Sequence, residues 1–339
     1  MGNGPDGGSG GAEPGASPTV DDVRRAARTI AGHAIRTPLL SSAVLDQRVG
    51  ARVLLKAETL QRTGSFKFRG AYNRIAAIPP QERTRGVVAR SSGNHAQGVA
   101  EAARLFGIPA TVVMPSDAPA VKREGAERSG ARIVPFDRDR DDKDAIAARI
   151  AAETGATFVH PYDDPLVIAG QGTVGLEIAE DCGRLGVAPD LVLVPASGGG
   201  LSAGIALAMA DVFPEARVLV AEPDGYDDHR LSFEAGRIVE IVPPGPSAAD
   251  ALLAFRPGDV TFPINRRLAA GAVAATDAEA FAAVAFAARE LKLVVEPGGA
   301  IGLAALLSGR VDVAGRTVVV VLSGGNLDPA TLARIVSAA

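Results

Sequence analysis

From Thr19 onward, short β-branched runs alternate with alanine-rich stretches of helical length, and this alternation constrains the fold more than any other feature. The strand candidates are Arg52–Leu55, Gly86–Ala89, Thr111–Met114, Ile133–Pro135, Leu191–Val194, Val218–Ala221 and Thr317–Leu322. Most are uninterrupted apolar runs, the pattern of strands covered on both faces. Helical stretches of about 10–16 residues fall between them. Thr19 is an N-cap for a helix from Val20 to about Ala31, with Asp21 and Asp22 in its first turn. Thr276 and Glu279 are spaced as a capping box opening a helix over Asp277–Leu291. Strand–helix alternation requires crossover connections, hence parallel sheets covered by helices: an α/β fold.

The chain has 339 residues and net charge −4, which suits about two domains. That length buries a sizeable core without disulfide or metal staples. The acidic balance removes the cationic surface of a general nucleic-acid binder. Cys182 is the single cysteine, so neither an intramolecular disulfide nor a cysteine zinc cluster can form, which fits a reducing cytoplasm. No apolar run nears the roughly 18 residues of a membrane helix, and no basic-then-apolar leader opens the chain. A cytoplasmic location without membrane or nucleic-acid partners is therefore expected. Residues 1–17 hold seven glycines and no aliphatic side chain larger than alanine after Met1. They cannot offset their ordering entropy and read as a disordered tail.

In parallel sheets, ligands bind where loops leave the C-terminal ends of strands. Glycine is in excess, 39 of 339 residues against a usual 7% or so, and four such loops draw on that excess. The first, Thr63–Ala71, sets Lys67 between Phe66 and Phe68 at the start of a predicted helix. A partly desolvated amine near a positive helix end loses its ammonium form and becomes a nucleophile for a carbonyl. The second, Ser91-Ser92-Gly93-Asn94-His95-Ala96-Gln97-Gly98, crowds hydroxyls, an amide and an imidazole at a helix N-terminus that suits a carboxylate. The third, Ser197-Gly198-Gly199-Gly200-Leu201, has the form of a phosphate cradle. It also reads as Gly198-x-Gly200-x-x-Ala203 with Glu222 about 20 residues on, so an NAD-dependent dehydrogenase is a competing reading. The fourth, Ser323-Gly324-Gly325-Asn326, places a hydroxyl at the end of a central strand. Taken alone, Lys67 also reads as a surface lysine on an amphipathic helix, the second loop as a capped turn, the third as a glycine-rich structural turn and the fourth as an ordinary left-handed turn. Glu222–Asp228 packs four carboxylates into seven residues, which suits either a divalent cation or a solvated acidic turn.

Together and in order, GSFKFRGA, SSGNHAQG, SGGGL, EPDGYDD and LSGGN, with GQGT at Gly170–Thr173, resemble the pyridoxal-phosphate enzymes related to tryptophan synthase β. The nearest branch is that of the serine/threonine dehydratases and serine racemases. The resemblance runs from about Thr37 to the C-terminus. It implies fold type II: two three-layer α/β lobes with mainly parallel sheets. The small lobe would span 84–160, and the large, cofactor-binding lobe 18–83 with 161–339. Phe66 and Lys67 would contact the cofactor, Lys67 as its internal Schiff base and later as the group that moves the α-proton. Asn94 would bond the 3′ oxygen, Ser197, Gly198, Gly199, Gly200 and Leu201 the phosphate, and Ser323 the pyridine nitrogen. Ser91, Ser92 and His95 would hold the substrate carboxylate, Ser92 also standing where racemising relatives keep an acid/base hydroxyl. Glu222, the Tyr226 carbonyl and Asp228 match a divalent-cation site (Mg2+, Ca2+ or Mn2+). Many relatives have a fourth glycine where this chain has Ser197.

The resemblance implies β-elimination from L-threonine or L-serine, giving a 2-oxo acid and ammonia. The cofactor phosphate would protonate the leaving hydroxide. The chain ends soon after the last motif, so the short catabolic type without a regulatory domain is expected, as a homodimer or homotetramer. Two neighbours share every motif: serine racemase and a 3-hydroxyaspartate dehydratase. The latter needs a cation for a second carboxylate, and Lys143 falls where relatives place a basic residue near the substrate. A charge on a solvated face is the competing reading of Lys143.

Overall fold

The computed structural model describes residues 17–91, 93–118, 120–242 and 244–338. Among the described residues ten strands form two sheets: β1 Leu39–Ser41, β2 Arg52–Lys56, β3 Val87–Arg90, β4 Ala110–Pro115, β5 Arg132–Phe136, β6 Thr157–Phe158, β7 Leu191–Pro195, β8 Arg217–Pro223, β9 Ala269–Ala275 and β10 Thr317–Val321. The larger has the order β1-β2-β10-β7-β8-β9 and the smaller β5-β4-β3-β6. Only β1 runs antiparallel to its neighbour.

The valine run of β10 shows why the larger sheet is central. Val318 and Val320 pack on one face with Leu193, Ile301 and Leu303. Val319 and Val321 pack on the other with Val174, Ile178, Ile205 and Met209. All four valines are fully buried, and each contributes about 1.5–3 kcal/mol. The smaller sheet repeats the pattern: Val87, Ala89, Val112 and Met114 face one cluster, Val88 and Val113 another. Its strands all lie between Val87 and Phe158.

Between the sheets, the Lys67–Ala76 helix packs against the Asn94–Phe106 and Pro165–Arg184 helices. Their crossing is close at Gly98, where a Cβ would lie 3.0 Å from the Lys67 carbonyl carbon. A buried ion network anchors the same helix. Arg69, without exposed surface, donates to both Glu58 oxygens at 2.8 Å and to Glu177 at 2.6 Å, and Lys56 donates to Glu177 at 2.6 Å.

All seven strands read from the sequence are present, the helix over Val20–Ile30 has its Thr19 capping box, and so does Thr276 with Glu279. The expected Asp277–Leu291 helix differs: it is α-helical only to Phe286 and ends in a π-turn over Ala287–Leu291. No glycine follows Leu291, so Lys292 itself takes the left-handed exit, φ 60°. β1, β6 and β9 were not foreseen: two are three residues or shorter, and the third, AAGAVAA, has an alanine content that reads as helix. Residues 1–16 of the expected tail lie outside the described residues.

Candidate active site

The four singled-out loops follow β2, β3, β7 and β10, and hydrogen bonds stitch them into one site. Phe66 N donates to Ser323 O at 3.1 Å and Gly325 N to Gly64 O at 2.9 Å, with a bridge between Ser65 and Gly324. Asn326 Nδ2 donates to Asn94 Oδ1 at 2.7 Å, which joins the loop after β3. Lys67 Nζ donates to Pro161 O at 2.7 Å, and the adjoining Tyr162 ring lies against Gly198 of the cradle.

Lys67 is the first residue of its helix. Burial of the amine pushes its pKa down to about 8, because the charged form gives up hydration. Nζ lies 5.1 Å from the centre of the Phe66 ring. The lowered pKa leaves a neutral minority at physiological pH far larger than an ordinary lysine has, which is what a carbonyl-attacking nucleophile requires.

The cradle is a short turn into the Gly200–Val212 helix, whose N-cap Gly199 supplies no capping side chain. Its orientation is set from behind. A carbonyl only accepts, so His229 donates from Nε2 to Ser197 O at 3.0 Å. Thr261 Oγ1 donates to Gly198 O at 2.6 Å, joined by Gly258 N at 3.1 Å. Asn265 Nδ2 and Ser202 Oγ donate to Gly199 O at 3.2 and 3.0 Å. With three successive carbonyls held on one side, the peptide N–H groups are left for an anion on the other. Gly199 has φ +91°, and a Cβ there would lie 2.6 Å from His229 Cε1 and 2.7 Å from Asn265 Nδ2. His229, Thr261 and Asn265 are parts of the site that the motifs did not reveal; their signal is only that all three are buried polar side chains. Ser197 uses its hydroxyl structurally, accepting from Ala254 N at 3.1 Å. Leu201 and Ser323 are buried beside their loops.

The second loop opens the Asn94–Phe106 helix, and its N-cap Gly93 likewise has no capping side chain, so first-turn N–H groups remain for an anion. Ser91 Oγ accepts from Gly93 N at 3.1 Å. His95 Nε2 lies 2.9 Å from Val159 O. Burial and neighbouring Lys67 push the imidazole pKa down to about 3, so the ring is neutral. Nε2 then carries the proton, and Nδ1 is a buried lone pair without a partner among the described residues. Such a ring accepts a hydrogen bond and cannot donate one to a carboxylate. Ser92 lies outside the described residues.

Glu222 and Asp228 are both fully buried. Glu222 accepts from His229 N at 2.8 Å and Arg230 N at 3.0 Å. Among the described residues neither Asp228 oxygen has a hydrogen-bond partner, and burial raises its pKa to about 8. Burial, with Asp228 next, also raises Glu222. Tyr226 is buried and donates its hydroxyl to Gly245 O. Among the described residues no three His, Cys, Asp or Glu side chains form a metal-holding group. Lys143 is exposed at the start of the Lys143–Thr154 helix, next to Asp144, which pairs with Arg90 at the end of β3. No helix among the described residues is long and apolar enough to cross a membrane.

Residues 30–324 match the family model described as pyridoxal-phosphate dependent enzyme. The L-threonine ammonia-lyase of Thermotoga maritima is 43% identical over 94% of this chain and 78% of its own length. The L-threo-3-hydroxyaspartate ammonia-lyase of Saccharomyces cerevisiae is 40% identical over 94% and 97%. Among solved structures, maize serine racemase superposes with a TM-score of 0.89 at 40% identity, covering 94% of this chain and 97% of that one.

Proposed function

The chain belongs to the pyridoxal-phosphate dependent enzymes, and on that premise we propose that it is a threonine/serine ammonia-lyase, eliminating the β-hydroxyl and releasing a 2-oxo acid and ammonia. The observation that carries this reading is the nucleophilic Lys67, its amine pushed down to about 8 in a site that also holds an anion cradle and a second anion-binding helix end. The family leaves the dinucleotide reading of Gly198–Ala203 without support, and Glu222 already accepts from His229 and Arg230 N–H.

The residues fit the cofactor. The cradle backbone is held open by donors behind it, and buried polar atoms facing the surrounding loops, Ser65 Oγ and Gln171 Oε1 among them, lack partners. Bound there, the cofactor supplies an electron sink for the bond broken at the substrate α-carbon. Lys67 would hold it covalently through Nζ and, as a neutral amine, take the α-proton. The N–H groups of Gly198–Leu201 would hold its phosphate, and Ser323 would meet its ring nitrogen as a neutral partner, which limits the sink and favours elimination over a long-lived carbanion. The substrate carboxylate is assigned to the backbone N–H groups opening the Asn94–Phe106 helix, that of His95 among them, with the hydroxyls of Ser91 and Ser92 as the further donors the resemblance implies; the accepting Nδ1 of the His95 ring would face a donor of the substrate instead. Closure of the segment 84–160, read as the small lobe, would exclude water.

Glu222, Asp228 and the Tyr226 carbonyl are proposed to hold a divalent cation; the unpartnered Asp228 oxygens support this, since buried carboxylates are otherwise costly. A homo-oligomer, which follows from the resemblance alone, and a cytoplasmic location, which the single cysteine suits, are part of the same reading. A second reading, 3-hydroxyaspartate as substrate, is favoured by Arg90, which directly precedes Ser91 and lies beside the Lys143 segment. The test is 2-oxobutyrate formation from L-threonine against oxaloacetate from 3-hydroxyaspartate, with and without chelator. Preference for threonine is expected; strong preference for 3-hydroxyaspartate would replace the first substrate by the second, and no ammonia from either would overturn the lyase reading.

A further inference from the structure

Asn94 is held in one orientation by groups that can act in only one way. Asn326 Nδ2 donates to Thr63 O at 2.8 Å and to Asn94 Oδ1 at 2.7 Å; a carbonyl only accepts, so the Asn326 amide cannot be turned over. Asn94 must therefore present Oδ1 to Asn326 and Nδ2 to the opposite side, where it donates to Glu296 Oε1. A carboxylate also only accepts, so the two partners agree. One N–H of Asn94 Nδ2 is left.

Glu296 is 2% exposed, and the ammonium nearest it is that of Lys122, 3.5 Å from Oε2. Burial raises the Glu296 carboxyl above the ordinary value, and Lys122 offsets part of that rise. Lys122 is itself buried, its stem beneath the second loop: a Cβ on Gly93 would lie 3.2 Å from Lys122 Cδ. Its other partner is the more exposed Asp250, at 2.7 and 2.9 Å. Lys122 lies on the Ala120–Arg128 helix, between β4 and β5 of the smaller sheet. Neither Lys122 nor Glu296 belongs to the groups assigned above to cofactor, substrate or cation. A fully buried ion pair costs desolvation, and here it terminates on one amide of the site.

Resting on the proposed cofactor site, we infer that Glu296 and Lys122 are positioning residues: the Glu296 carboxylate, paired with the Lys122 ammonium, fixes the Asn94 amide so that its remaining N–H is available to the 3′ oxygen of the cofactor. The alternative is that Lys122, Asp250 and Glu296 only fasten one sheet's helices to the other's, with no effect on the cofactor.

The two differ in which variants matter. Glu296→Gln and Lys122→Met are expected to weaken pyridoxal phosphate binding about tenfold or more, the effect of misaligning one charge-assisted hydrogen bond. They should also shift the visible absorption band of the bound cofactor and lower kcat with little change in KM. Lys122→Arg should restore the band, and Asp250→Asn, which removes only the outer partner, should leave affinity and band as in the wild type. Denaturation curves accompany each variant; if Lys122→Met does not fold, the nearly isosteric Glu296→Gln decides alone. Wild-type affinity and band in Glu296→Gln would overturn the inference. Equal losses in Asp250→Asn and Lys122→Met would overturn it in favour of a fastening role. If the wild type itself took up no pyridoxal phosphate, it would be the underlying site reading that failed.

Discussion

Gly199→Ala tests the cradle most sharply, because the structure fixes both the strain and the clash. At φ +91° any side chain costs about 1–2 kcal/mol. The added methyl would lie 2.6 Å from His229 Cε1 and 2.7 Å from Asn265 Nδ2, both buried and both donors to cradle carbonyls. Overpacking of that kind costs about 1–3 kcal/mol, for a combined loss of about 2–5 kcal/mol. Displacing His229 or Asn265 frees a carbonyl to rotate, so at least one N–H turns away from the phosphate. A hydrogen bond to a charged group is worth about 1.5–3 kcal/mol, which predicts affinity for pyridoxal phosphate lower by about 10- to 100-fold. Gly183→Ala is the internal control. It lies near the end of the Pro165–Arg184 helix with nothing within 4 Å of the added methyl, so it should be neutral or stabilising by up to about 1 kcal/mol. Urea denaturation and cofactor titration by absorbance measure both variants. Wild-type stability and affinity in Gly199→Ala would refute the argument that donors behind the cradle set its shape.

Three further outcomes follow from the same geometry. With the Lys67 amine at about 8, the rate of its covalent reaction with pyridoxal phosphate should rise with pH and reach half its maximum near 8; a midpoint near the ordinary lysine value of about 10.4 would contradict burial as the activating cause. Arg69→Met leaves the buried Glu58 and the partly buried Glu177 without the guanidinium and should cost about 3–5 kcal/mol in urea denaturation. In the wild type, burial raises Glu177 but Arg69 and then Lys56 more than reverse this, holding it below 4.5; its stabilisation is present above that pH and is lost as the pH falls through the depressed value. Cys182, fully buried and raised to about 11 by burial, should resist thiol reagents in the native protein at pH 8 and react only on unfolding; rapid native labelling would contradict its placement.

Much of this was legible in the residues. β-branched runs such as TVVVV betray a two-faced central strand because no helix or surface strand needs that continuity. The loops carrying Lys67, Asn94, the glycine cradle and Ser323 stand out because each breaks such a run with residues that core packing does not require. What escaped lies in relations between distant segments. Thr261 and Asn265 reach the carbonyls of Gly198 and Gly199 from more than 60 positions away, and no local pattern announces a donor aimed at a carbonyl. The neutral state of His95 depends on burial and then on Lys67, and its tautomer on the Val159 carbonyl, none of them visible in SSGNHAQG. β9 escaped because its pairing with β8, rather than its alanine-rich composition, makes it a strand.

The central claim is that Lys67 carries the cofactor in a site assembled by these four loops. The most direct measurement is borohydride reduction of the protein purified with pyridoxal phosphate, followed by proteolysis and mass spectrometry. A single pyridoxyl-phosphate adduct on Lys67, lost in Lys67→Ala together with ammonia release, is the predicted result. No adduct, or one on Lys122 or Lys143 with Lys67 unmodified, would contradict the account.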